Sequence, residues 1–312
     1  MGIVKICLIA ALLLILLFFI LPVLIMSGVL YTVLLVRTSP QKWGRECSIP
    51  DDEEYRRMFD IGMEWAAEYD SYKRAVKIQA SKLELHGEYF DFGAEKAVII
   101  IPGRMESCLY SYFFAEPYRV SGYNVLVIDN RAHGLSGGKI SSLGYREYKD
   151  IIAWSRYLKS LGNKKTVLHG ICIGASCALF AATDEKNPDA VDALVVEGMY
   201  TTFFESFKNH MYDMKKPVFP LAYGVMLYIL VVSGANVVTD GPVKRIKNLR
   251  KPILFLHSRE DVFSLPEKAE ILYNKCPSVK KIAWFDKGAH SRIRINNEAA
   301  YDRSVEDFLQ NI

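Results

Sequence analysis

The sequence predicts a mostly parallel, eight-stranded α/β sheet with helices on both faces, preceded by one membrane-spanning helix. Three observations predict it. Ile6 to Val36 is a run of 31 residues without a charge. Beyond it, short and fully apolar runs alternate with helical stretches, the pattern of a buried parallel sheet covered on both sides. A Gly-x-Cys-x-Gly turn then stands between one such run and a helix, where an open α/β sheet gathers its functional groups.

A helix needs about 20 apolar residues to cross the hydrocarbon core, so residues 6–36 suffice. The run is longer than a signal-peptide core, and Met26-Ser27-Gly28 makes a poor cleavage site. An uncleaved, single-pass anchor over residues 1–37 is the expectation, with a cleaved export signal as its alternative. Pro22 sits within the run, which membrane helices tolerate. Lys5 and the α-amine flank one end, and Arg37, Lys42 and Arg45 the other. This leans towards a cytoplasmic catalytic domain. Residues 38–50 read as a linker and residues 51–312 as one domain.

Asp51 to Tyr69 is a helical pattern opening on acidic residues, which suit a helix N-terminus. Ala75–Ile78 and Leu83–Phe90 read as a hairpin. Strands are expected at Ala97–Ile101, Val125–Ile128, Thr166–Leu168, Ala193–Val196, Ile253–Leu256 and Ile282–Phe285. Tyr148–Leu161 and Ala175–Ala182 are two of the helices between them. About 260 residues support one large core. The net charge of +4 is small and evenly spread, which argues against a nucleic-acid partner. The six cysteines form no CxxC pair and no Cys/His metal spacing, and no dinucleotide fingerprint is present, so no metal or cofactor is expected.

The chemistry centres on Gly170-Ile171-Cys172-Ile173-Gly174. In a turn this tight, side chains at Gly170 and Gly174 would clash, and Cys172 is held exposed and strained. The helix that follows aims its N-terminal dipole at the sulfur, which favours the thiolate. A nucleophile needs a base. Of the six histidines, His290 lies in the loop after the last strand, where the base belongs. The acid should fall between the two in chain order. Asp261, at the end of the penultimate strand, is the first choice; Glu197 is the alternative acid and Asp286 a more distant rival. The oxyanion requires two main-chain N–H donors: that of Ile173, and one from Pro102–Ser107, best Arg104. Ser176 cannot replace Cys172, because it lies a full helical turn beyond the elbow.

These motifs resemble the α/β-hydrolase superfamily, in its serine aminopeptidase-like and lysophospholipase-like branch. Asp129-Asn130-Arg131-Ala132-His133-Gly134-Leu135-Ser136 resembles that branch's D-x-R-x-x-G-x-S turn. Ile101-Pro102-Gly103-Arg104-Met105-Glu106-Ser107 resembles its oxyanion loop, which more often reads His-Gly. Gly62-Met63-Glu64-Trp65 with Leu85-His86-Gly87, Lys251 to Asp261, and Gly288-Ala289-His290 resemble its lead-in, acid and base segments. The resemblance runs from about residue 55 to the C-terminus and departs at Cys172. A cysteine there resembles dienelactone hydrolase. It implies hydrolysis of an ester, thioester or amide acyl bond through a Cys-His-Asp triad. A catalytically degenerate binding protein and an acyltransferase stay open as alternatives.

One further segment bears on substrate. Pro217 to Val238 carries no charge and falls in the expected cap, about residues 200–245. It reads as a buried helix, as a second span, or as an apolar lid touching the bilayer over a greasy pocket. The lid reading predicts a lipid-like acyl substrate.

Overall fold

The computed structural model describes residues 2–312. Its centre is one sheet of eight strands: β1 (Lys73–Ala80), β2 (Leu83–Phe90), β3 (Lys96–Ile101), β4 (Asn124–Ile128), β5 (Lys165–Ile171), β6 (Ala193–Glu197), β7 (Ile253–Ser258) and β8 (Lys280–Phe285). The spatial order is β1-β2-β4-β3-β5-β6-β7-β8. The β1–β2 and β2–β4 pairs are antiparallel and all others parallel. Each predicted run lies within one of these strands. β5 runs on to Ile171 and brings the chain directly to the elbow.

The apolar runs are continuous because both faces are covered. In β3, Ala97, Ile99 and Ile101 enter one core cluster while Val98 and Ile100 enter the other, as the two-residue period of a strand requires. The helices that cover the sheet and carry the cap are, in chain order, α1 (Gly2–Leu35), α2 (Glu53–Glu68), α3 (Glu147–Ser160), α4 (Ile173–Ala182), α5 (Phe203–Asp213), α6 (Leu221–Ser233), α7 (Pro266–Lys275) and α8 (Ile293–Gln310). Asp52 caps α2 by accepting from the Tyr55 N–H at 3.0 Å, which sets its start two residues inside the expected one.

α1 is long and apolar enough to cross a membrane. A π turn at Leu16–Ile20 precedes Pro22, where the missing proline N–H breaks the regular ladder. Residues 2–22 are exposed, but Ser27, Tyr31 and Leu35 are buried against the cap. Residues 38–50 carry no regular secondary structure and are held against the domain. Val36 bridges to Ile140. Trp43 is buried and stacks on His133 with ring centroids 4.6 Å apart. Arg45 pairs with Glu88 and Asp129.

Candidate active site

The parallel strands deliver their carboxyl ends to one edge, and the predicted site residues follow them there. Cys172 has φ 54° and ψ −109°, a conformation an ordinary side chain occupies only under constraint. The constraint is close packing. A Cβ on Gly170 would lie 2.3 Å from the Gly174 carbonyl oxygen, and one on Gly174 would lie 2.2 Å from that of Ile101. The Cys172 N–H donates to the Glu197 carbonyl at 2.9 Å, and α4 starts at the next residue.

His290 Nδ1 and Asp261 Oδ2 are 2.7 Å apart. Oδ1 of Asp261 accepts from the N–H groups of Phe263 at 2.9 Å and Ser264 at 2.7 Å, so the carboxylate is fixed before it orients the ring. Burial alone would raise the Asp261 pKa; the His290 charge and these donors outweigh it and hold the group below its usual range. For His290, burial pulls downward, but the Asp261 carboxylate and then the Cys172 thiol hold the imidazole well above its ordinary value. Cys172, Ile173, Gly103, Arg104 and His290 line one cavity of about 280 Å³. The Arg104 and Ile173 N–H groups donate to no acceptor among the described residues. The Arg104 side chain lies in the cavity, half-buried and without an ion pair among the described residues.

The rivals stand elsewhere. Glu197 is fully buried and accepts from the Tyr301 hydroxyl at 2.6 Å; it makes no hydrogen bond to His290. Asp286 is exposed, 3.9 Å from Arg259. Ser176 is buried within α4. Burial raises the Glu197 pKa from 4.5 to about 7. The folded chain therefore keeps a proton that the unfolded chain releases, and stability falls as pH rises from 4.5 through about 7. The expected loss is on the order of 3 kcal/mol. Denaturant titrations across this range should show the slope in the parent and a flatter profile in Glu197→Gln; equal slopes would refute a buried, protonated Glu197.

Four supporting residues escaped the sequence. Gly198 has φ +59°, and a Cβ there would meet His290 Cε1 at 3.0 Å; a glycine directly after a strand-ending Glu197 was the available signal. Glu106 is buried and accepts from Gly103 N–H at 2.7 Å and from the Tyr55 hydroxyl, which pins the loop that presents Arg104. Phe263 packs edge-on against the His290 ring at 5.4 Å.

Comparison with known proteins agrees with this architecture. Residues 96–218 match the family described as alpha/beta hydrolase fold. The chain is 28% identical over 218 residues to the uncharacterized protein YqkD of Bacillus subtilis (strain 168), covering 69% of this chain and 71% of that protein. It is 25% identical over 165 residues to the lysophosphatidylserine lipase ABHD12 of Danio rerio, covering 52% of this chain but only 41% of that protein. Among solved structures, the Pyrococcus furiosus esterase Pf2001 superposes with a TM-score of 0.66 at 22% identity, covering 79% of this chain and 93% of that one. The esterase EaEST from Exiguobacterium antarcticum gives 0.56 at 14% identity, covering 75% and 99%. With the elbow, the strand order and these likenesses together, the chain has the alpha/beta hydrolase fold.

Proposed function

We propose that the chain is a membrane-anchored acyl hydrolase that works through a thioester on Cys172. The observation that carries this reading is the hydrogen-bonded Asp261–His290 pair, whose imidazole lines the same cavity as a strained cysteine and two unengaged main-chain donors. With Nδ1 engaged by Asp261, Nε2 of His290 is free to take the thiol proton. The sulfur attacks the substrate carbonyl, and the N–H groups of Ile173 and Arg104 receive the oxyanion. Collapse expels the alcohol, which takes the proton from His290. Water, deprotonated by His290, then cleaves the thioester, releasing the acid and restoring the thiol. The lipase and esterase names among the relatives support an ester substrate, as does the apolar lining from Ile49, Ile173, Phe203 and Phe207. That lining favours medium or long acyl chains. Positive residues at the domain end of α1, Arg37, Lys42 and Arg45, support a cytoplasmic domain.

Two measurements on the full-length chain test the proposal. Incubation with an activated acyl ester should leave an acyl mass on the Cys172 peptide. Across an ester series from acetyl upward, kcat/KM should rise until the cavity is full, each methylene contributing about 0.8 kcal/mol. An adduct elsewhere would refute the nucleophile, and a maximum at acetyl would refute the lipid-like substrate.

A further inference from the structure

The second uncharged segment forms α6, and α6 packs on the anchor. Gly224 faces Ser27 so closely that a Cβ on it would lie 2.1 Å from the serine Oγ, and a Cβ on Gly28 would lie 2.8 Å from the Tyr228 hydroxyl oxygen. Ser27 Oγ donates to the Leu221 carbonyl at 3.3 Å. The Tyr31 and Tyr228 rings stack at 5.8 Å. Small residues that bring two backbones together are how apolar helices associate in lipid. The contacts also run in one direction along both helices, Ser27 with Leu221 and Gly224, then Tyr31 with Tyr228. The start of α6 is therefore at the level of Ser27.

That level can be placed against a bilayer. The uncharged residues before Ser27, 6–26, number 21 and as a helix span about 31 Å, the thickness of the hydrocarbon core. Residues 2–22 are exposed along their whole length. If they fill the core, Ser27 emerges at its boundary with α6 beside it. α6 has 13 residues and reaches only about 20 Å, too short to cross. One face, Ala222, Val225, Met226 and Ile229, is buried with Ile173 and Tyr200. The other is apolar and exposed, with Tyr223, Leu227, Leu230 and Val231, and Phe219, 76% exposed, stands just ahead of its first turn. Lys215 and Lys216, exposed just ahead of it, suit the headgroup layer. Leu34 of the anchor itself lines the cavity that holds Cys172.

We propose that Phe219 and the exposed start of α6 are immersed in the membrane boundary beside α1, and that the Cys172 cavity takes its acyl substrate from that leaflet. The second clause rests on the acyl-hydrolase reading; the first does not. Leu34 then serves as a wall shared by the anchor and the acyl site. A substrate chain leaving the bilayer exchanges one apolar surrounding for another without crossing water.

The test uses the full chain in phosphatidylcholine vesicles with a minority of phosphatidylglycerol. Phe219→Trp should show tryptophan quenching by brominated phosphatidylcholine beyond that of the parent. No added quenching, or a crosslink from position 219 to a second copy in its place, overturns the membrane contact. In parallel, Phe219→Asp with Tyr223→Asp should lower hydrolysis of a vesicle-embedded long-chain ester by about tenfold or more, and change that of a short water-soluble ester by less than about twofold. Equal losses on both substrates overturn delivery from the leaflet. Failure of the parent to cleave either ester overturns the hydrolase reading instead, and the quenching result still decides where α6 lies.

Discussion

Replacing His290 with alanine in the full-length chain should lower turnover of any accepted ester by about three to four orders of magnitude, with little change in melting temperature. The ring is the only one of the six histidines in the Cys172 cavity apart from His210, and His210 lies against Phe263 with no carboxylate partner. The others have structural partners: His86 with Glu84, His133 on Trp43, His169 with Tyr301, His257 with the Ser264 carbonyl. Asp261→Asn should be nearly as severe, because the amide cannot hold the imidazolium and invites the wrong tautomer, whereas Glu197→Gln should be mild. Steady-state rates on one ester decide the matter. A severe Glu197→Gln with a mild Asp261→Asn would transfer the acid role.

A chain that begins at Ser48 should be poorly soluble and markedly less stable, while one that begins at Ile25 should fold with nearly the parent's melting temperature. The longer deletion removes Tyr31, Leu35 and Trp43, all buried, and bares Ala222, Val225, Met226 and Ile229 of the cap. Each large apolar side chain taken from such a site costs about 2–5 kcal/mol, against a total stability of about 5–15 kcal/mol. The residues removed by the shorter deletion are exposed over 2–22, and only Val23 and Leu24 are partly buried. Soluble yield and thermal unfolding of the two truncations compare them directly. Equal stability would show that the last turns of α1 are dispensable to the fold.

The sheet was legible because parallel strands buried on both faces cannot hide their composition. Ala97–Ile101 and Val125–Ile128 have no other reading in a chain of this size. The elbow was legible for a related reason, since only glycine fits where Gly170 and Gly174 approach carbonyl oxygens. The pairing of α1 with α6 was not. An uncharged run reads alike whether lipid or protein covers it, so Ser27 and Tyr31 looked no different from Leu12 and Phe18. Glu106 and Tyr55 escaped because a buried carboxylate and its hydroxyl partner are 51 positions apart, and no local pattern links them.

The docking of residues 36–45 onto the domain has a mechanical consequence. A flexible connection of the length of residues 38–50 would let the domain wander over a radius of about 20 Å and meet the bilayer in any pose. Trp43 on His133, the Val36–Ile140 bridge and Arg45 between Glu88 and Asp129 remove that freedom. They act as a stiff mount. On the proposed function, Cys172 would work at one height and one tilt, on molecules that come to it within a plane, and encounter would be a two-dimensional search in which surface density, more than bulk concentration, sets the rate.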